Sequence, residues 1–136
     1  MITIENIECQ VLDKLDYPIF TSEYDYISSL VSGISWKEPV RVIQTTSGVN
    51  SIQDNTQLNP GDRVLRVNDG PDNGTYVVQD DNTWKRASDF LNIEDATGAS
   101  CFILEGLLHK GSVWFCTVDN SCIFNKDPLN FIQFSK

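Results

Sequence analysis

The sequence predicts a mainly β chain: an antiparallel β-sandwich or small barrel over residues 35–136, preceded by a short helical N-terminal segment over residues 1–34. Three observations carry this. From Trp36 onward, short runs rich in β-branched and aromatic residues alternate with turn clusters at fairly even spacing, the pattern of an all-β domain. The connections between most of these runs are too short for parallel crossovers, which need a dozen or more residues. Before Trp36 the texture differs, with apolar residues spaced by three and four.

In the N-terminal segment Ile4, Ile7, Val11 and Leu15 form one stripe at helical spacing. Tyr17-Pro18 interrupts it, because the residue before proline is pushed out of the helical region. Thr21-Ser22-Glu23-Tyr24-Asp25 can cap a second short helix carrying Tyr26, Ile27, Leu30 and Val31, closed by Gly33. Seven strands follow: Val40–Thr45, Arg63–Asn68, Thr75–Gln79, Thr83–Ala87, Ser100–Glu105, Val113–Val118 and Asn130–Phe134. Asn59-Pro60-Gly61-Asp62, Asp69–Gly74, Asp80-Asp81-Asn82 and Asp119-Asn120-Ser121 separate them. Proline presets φ, and Gly and Asn accept the positive φ of tight turns. In Arg63–Asn68 both faces carry apolar residues, and around Trp84 the pattern is half-buried. The long connection Arg86–Gly98 holds a helical turn around Asp89–Asp95, and Gly106–Gly111 reads as a hairpin loop.

With 40% apolar and 21% charged residues in 136, the chain can bury one core without staples. Its formal net charge is -9, which opposes phosphate backbones and anionic membranes, so neither nucleic acid nor membrane is expected as a partner. The first residues show no basic region followed by an apolar run, hence no secretory signal is expected. Cys9, Cys101, Cys116 and Cys122 contain no C-x-x-C pair and His109 is the sole imidazole, so no metal site is expected. Buried free thiols are the reading for Cys101 and Cys116, and a Cys116–Cys122 bridge is opposed by synthesis in a reducing cytosol.

No catalytic residue, cofactor motif or phosphate-cradling loop is found. His109 is the only base available to a Ser or Cys nucleophile, and it sits in a loop. The carboxylates Asp62, Asp69, Asp72, Asp80, Asp81, Glu94 and Asp95 could pair for glycoside hydrolysis, but most occupy turns, where Asp bonds its own backbone. Asn68–Gly74 lacks the ligand rhythm of a calcium loop. Asn73-Gly74-Thr75 matches a glycosylation acceptor without a signal to give it meaning. Trp36, Trp84 and Trp114 could form a sugar-stacking surface, with Trp36 and Trp84 the candidate glycan contacts, against the simpler reading of tryptophans packed into a core.

Several motifs occur in a set order. Glu38-Pro39-Val40-Arg41-Val42, Thr45-Thr46 and Asn59-Pro60-Gly61-Asp62-Arg63-Val64-Leu65 come first. Asn73-Gly74-Thr75-Tyr76-Val77-Val78 and Trp84-Lys85-Arg86-Ala87-Ser88-Asp89 follow. Thr97-Gly98, Cys101–Gly106, Trp114 and Phe131-Ile132-Gln133-Phe134 close the series. In this order they resemble a β domain of bacteriophage tail-fibre proteins. The resemblance covers about three-quarters of the chain; Asp119–Asp127 departs from it by carrying Cys122, Phe124 and Lys126. It implies a non-enzymatic virion component, a short fibre, fibre-base or decoration protein of tail or capsid, assembled in the host cytoplasm. A homo-oligomer, a trimer by analogy, and other virion proteins are the implied partners; a host surface glycan is the alternative ligand. Residues 1–34 lie outside the resemblance. Ile4, Ile7, Val11, Leu15, Tyr24, Ile27 and Leu30 are therefore the candidate docking or oligomerisation residues. Arg41, Arg63 and Arg86 are expected to tie strand ends to acidic turns.

Overall fold

The computed structural model describes residues 3–5, 8–11, 34–118 and 121–135. The chain divides into two units, Met1–Gly33 and Ile34–Lys136. In the first, β1 (Thr3–Glu5) pairs antiparallel with β2 (Glu8–Val11), with Thr3 opposite Val11 and Ile4 opposite Gln10. Ile4 and Val11 therefore belong to a hairpin, not to the predicted helical stripe. Their neighbourhood favours this, since β-branched residues lose rotamer freedom in a helix and fit readily into an extended strand. Ile7, Leu15, Tyr24, Ile27 and Leu30 lie outside the described residues.

The second unit is mainly β. Its strands are β3 (Ser35–Trp36), β4 (Val42–Ile43), β5 (Ile52–Gln53), β6 (Thr56–Gln57), β7 (Arg63–Arg66), β8 (Gly74–Val78), β9 (Trp84–Arg86), β10 (Ala99–Phe102), β11 (Val113–Cys116) and β12 (Phe131–Ser135). All seven predicted strands are present with shifted ends. A 3-10 turn at Gly70–Asp72 and one helical turn, α1 (Ile93–Ala96), interrupt them. Asn92 caps α1, its side chain accepting from the Asp95 N–H.

Two four-stranded sheets form, ordered β12-β11-β10-β3 and β4-β7-β8-β9. They are mixed rather than antiparallel: β3 runs parallel to β10 and β4 parallel to β7. The short connections do give antiparallel hairpins, but these two pairs join strands far apart in sequence, where loop length sets no direction. Nor do the sheets close into a barrel. Residues 34–44 run through both, turning at a bend on Arg41. Their amides bond first to Gly98, Ser100 and Phe102 carbonyls, then to those of Arg63 and Leu65. Val40 stands at the crossing, bridged in parallel to Ile103.

Packing follows from the alternation of side chains along each strand. Leu65 and Ile43 face the first sheet, meeting Cys101 and Ile103, with Trp114 and Phe131 against them. Val64, one residue away, faces oppositely and packs with Val42, Val78 and Leu58, the last brought in by the β5–β6 arm. A further cluster of Phe90, Ala96, Ala99, Cys116 and Leu129 closes the end beside α1. The second sheet is thus covered on both faces. Within this unit, the clusters lie on one face of the first.

Candidate functional site

A cleft of about 420 Å³ opens where three loops meet the two sheets. The ends of β4 and β7 contribute Ile43, Gln44, Thr45, Val67 and Asn68, and the β10–β11 hairpin and β12 contribute Leu108, His109, Trp114 and Phe131. The loops around it are held by buried polar side chains, each of which must satisfy its hydrogen bonds internally.

Gln44 is 2% exposed. Its amide donates to the Gly48 carbonyl and Asp69 Oδ2, at 2.9 and 2.7 Å, and accepts from the Val67 and Asn68 N–H groups. Both its donors and its carbonyl are thereby occupied. Gln53 does the same for the neighbouring loop, accepting from the Thr45 and Thr46 N–H groups and donating to the Thr46 and Asn50 carbonyls. Asp69 gathers Ser47 Oγ, the Gly48 N–H, Gln44 Nε2 and Arg66 Nε. Burial works against its charge, but the donors from Ser47, Gln44, Arg66 and Gly48 outweigh it and hold Asp69 well below the usual carboxylate range.

Asp54 and Asn55 form the two-residue turn between β5 and β6, both at positive φ (47° and 59°). From there the Asp54 carboxylate reaches the β10–β11 hairpin. It accepts the Leu108 N–H at 2.9 Å and the His109 N–H at 3.0 Å, and its carbonyl accepts the Leu107 N–H. Gly106 makes room for it: a Cβ there would lie 2.2 Å from Asp54 Oδ2, at φ +116°. Trp114 is fixed in turn, its Nε1 donating to Ser112 Oγ, which donates to the His109 carbonyl. The His109 and Trp114 rings meet edge to face at 5.5 Å.

This arrangement presents aromatic surface on loops fastened by hydrogen bonds. The ring contact of His109 among the described residues is with Trp114. Burial pushes the Cys101 thiol up to about 12 and the Cys116 thiol up to about 11, so neither is a thiolate nucleophile at neutral pH. Cys101, Cys116 and Cys122 are all free. Among the described residues, no three acidic, His or Cys side chains are placed to hold a metal ion.

The sequence candidates are distributed elsewhere. Trp36 is 52% exposed on β3, and Trp84 sits half-buried on β9 in the other sheet, against Tyr76. The two do not share a site. Arg41 pairs with Asp62 and Glu105, and Arg63 with Asp89, as expected of strand-end ties. Arg86 departs from that expectation: it donates to the Asn73 and Pro71 carbonyls and to Asn125 Oδ1, between the rings of Tyr76 and Phe124. Burial lowers its pKa. The glycosylation match at Asn73 is structural, because Asn73 is buried with its amide donating to the Leu129 carbonyl. Of the three tryptophans weighed for sugar stacking, Trp114 is the one that lines the cleft.

No family model, curated protein or solved structure matches the chain.

Proposed function

We propose that this protein is a non-enzymatic structural component of a bacteriophage particle, a short fibre, fibre-base or decoration protein of the tail or capsid surface. It serves attachment or assembly and works as a homo-oligomer beside other virion proteins. The observation that carries this reading is the ordered series of motifs from Glu38 to Phe134, which resembles a tail-fibre domain. The buried polar residues support it. Gln44, Gln53, Asp54 and Asp69 are occupied in fastening loops to strands, as suits a component selected for rigidity. Antibody against residues 34–136 should label intact particles released by cells that encode the chain, and the chain should co-sediment with DNA-filled particles. A chain confined to the soluble fraction of such a lysate would sink the proposal.

A second reading is a module that binds a host surface glycan. The cleft favours it, since Trp114 and His109 offer ring surface beside the polar Asn68 and Thr45. On this reading, Trp114→Ala should lower glycan-array binding at least about tenfold, the loss of one aromatic contact, while Trp84→Ala leaves it unchanged. Equal binding by Trp114→Ala with a native circular dichroism spectrum would exclude the cleft.

A further inference from the structure

Among the described residues of the second unit, no cluster of buried side chains packs on the second face of the β3–β10–β11–β12 sheet. Ala99, Cys101, Trp114, Cys116 and Phe131 point inward. The pairing registers place Trp36 beside Ser100, Ser100 beside Phe115, Phe102 beside Val113, and Phe115 beside Ile132 on the opposite face. Phe134 joins them through its edge-on contact with the Phe115 ring at 6.2 Å. Six side chains, Trp36, Phe102, Val113, Phe115, Ile132 and Phe134, therefore make up the surface of this face around Ser100, which is itself fully buried. None is charged, in a chain of which 21% is charged. Trp36, Ile132 and Phe102 are 52%, 50% and 36% exposed.

We infer that this face is a self-association surface, on which a second copy of the chain packs its own equivalent face. Two arguments select that occupant. First, each copy carries a net charge of -9, so copies repel wherever their charged surfaces meet. This face allows approach without desolvating or opposing like charges. A contact about a two-fold axis requires only that a face complement itself, which an uncharged apolar face does. A cationic partner would be drawn to the acidic remainder of the surface instead.

The second argument is area. Large aromatic side chains bury about 150–250 Å² each when fully covered. At the exposures observed, the face offers on the order of 400 Å² of apolar surface per copy. A standard interface of about 800 Å² per partner is a little over half apolar, about 450 Å². The bare face thus matches the apolar portion of an ordinary interface once a polar rim surrounds it. The inference stands on this sheet alone and holds whether or not the chain belongs to a particle.

Sedimentation of the full chain at about 50 μM should give a mass at a multiple of the single chain. Ile132→Glu and Trp36→Glu each put an unpaired charge at a side chain already half in solvent, so the fold can accommodate them. Each should weaken association about 100-fold or more, and together they should give single chains. Leu107→Glu, at a 70% exposed loop position away from this face, should leave the mass unchanged. If a charged variant misfolds, Ile132→Asn is the softer test and should weaken association about tenfold. A wild-type chain that stays single at this concentration overturns the inference. So does an oligomer that survives in the natively folded double variant.

Discussion

Gly106→Ala is expected to destabilise the domain by about 3 kcal/mol or more, with Asp54→Ala close behind. The double variant should then cost less than the sum of the two. An alanine at φ +116° is strained by itself, and its Cβ would sit 2.2 Å from Asp54 Oδ2. The carboxylate cannot step aside without releasing the Leu108 and His109 N–H groups. Removing the carboxylate instead strands those two donors at roughly 1.5–3 kcal/mol for each charge-assisted bond, partly recovered where solvent reaches them. Asp54→Ala also places alanine at φ 47°, where aspartate is better tolerated. In the double variant the Cβ no longer meets a carboxylate, so a coupling of about 1–2 kcal/mol should appear between positions 54 and 106. Urea midpoints for the four proteins measure it. Additive penalties would mean that Asp54 does not hold the hairpin.

Asp69→Asn should cost about 2–4 kcal/mol at pH 7, and that penalty should shrink as the solution is acidified. A carboxylate held below its unfolded value, near 3.9, contributes stability that is fully present above that value. The contribution is lost as pH falls toward the lower folded value. Asp69 is held down by Ser47, Gln44, Arg66 and Gly48 against the opposing effect of burial. Asp89 acts in the same sense: burial opposes its charge, while Thr75 and Arg63 donate to it and lower its pKa. The wild-type domain should therefore keep nearly constant stability above about pH 5 and lose it progressively below about pH 4. The asparagine variant should show a shallower acid slope, read by thermal melts from pH 2 to 7. An unchanged slope would show that Asp69 titrates normally in the folded state.

The strands of residues 34–136 were legible because their turns are written locally. Asn59-Pro60-Gly61 and Asn73-Gly74 each stop one run and reverse the chain within a few residues. The β5–β6 hairpin was missed although its Asp54-Asn55 turn is a recognisable two-residue signal, because its strands are only two residues long. Parallel pairing of β3 with β10 and β4 with β7 had no local mark. Which distant strand a segment joins depends on the whole packing. The cleft was illegible for a related reason. Gln44, Gln53 and Asp54 are indistinguishable in sequence from surface polar residues, and only the meeting of three loops buries them. In the N-terminal unit, spacing by three and four among Ile4, Ile7 and Val11 suggested a helix, while the β-branched Thr3-Ile4 favoured the strand that the structure shows.

The stretch 34–44, shared by both sheets, also determines how the domain would bear a mechanical load. Tension arriving along the chain at Ile34 meets β3, paired in parallel with β10, and then β4, paired in parallel with β7. Pulled along these parallel pairings, each short strand loads its bonds in shear, the β3 stretch against Gly98 and Ser100 and the β4 stretch against Arg63 and Leu65. Drawing the chain out from this end would have to break into both sheets. The domain is clamped at the point where it would be pulled.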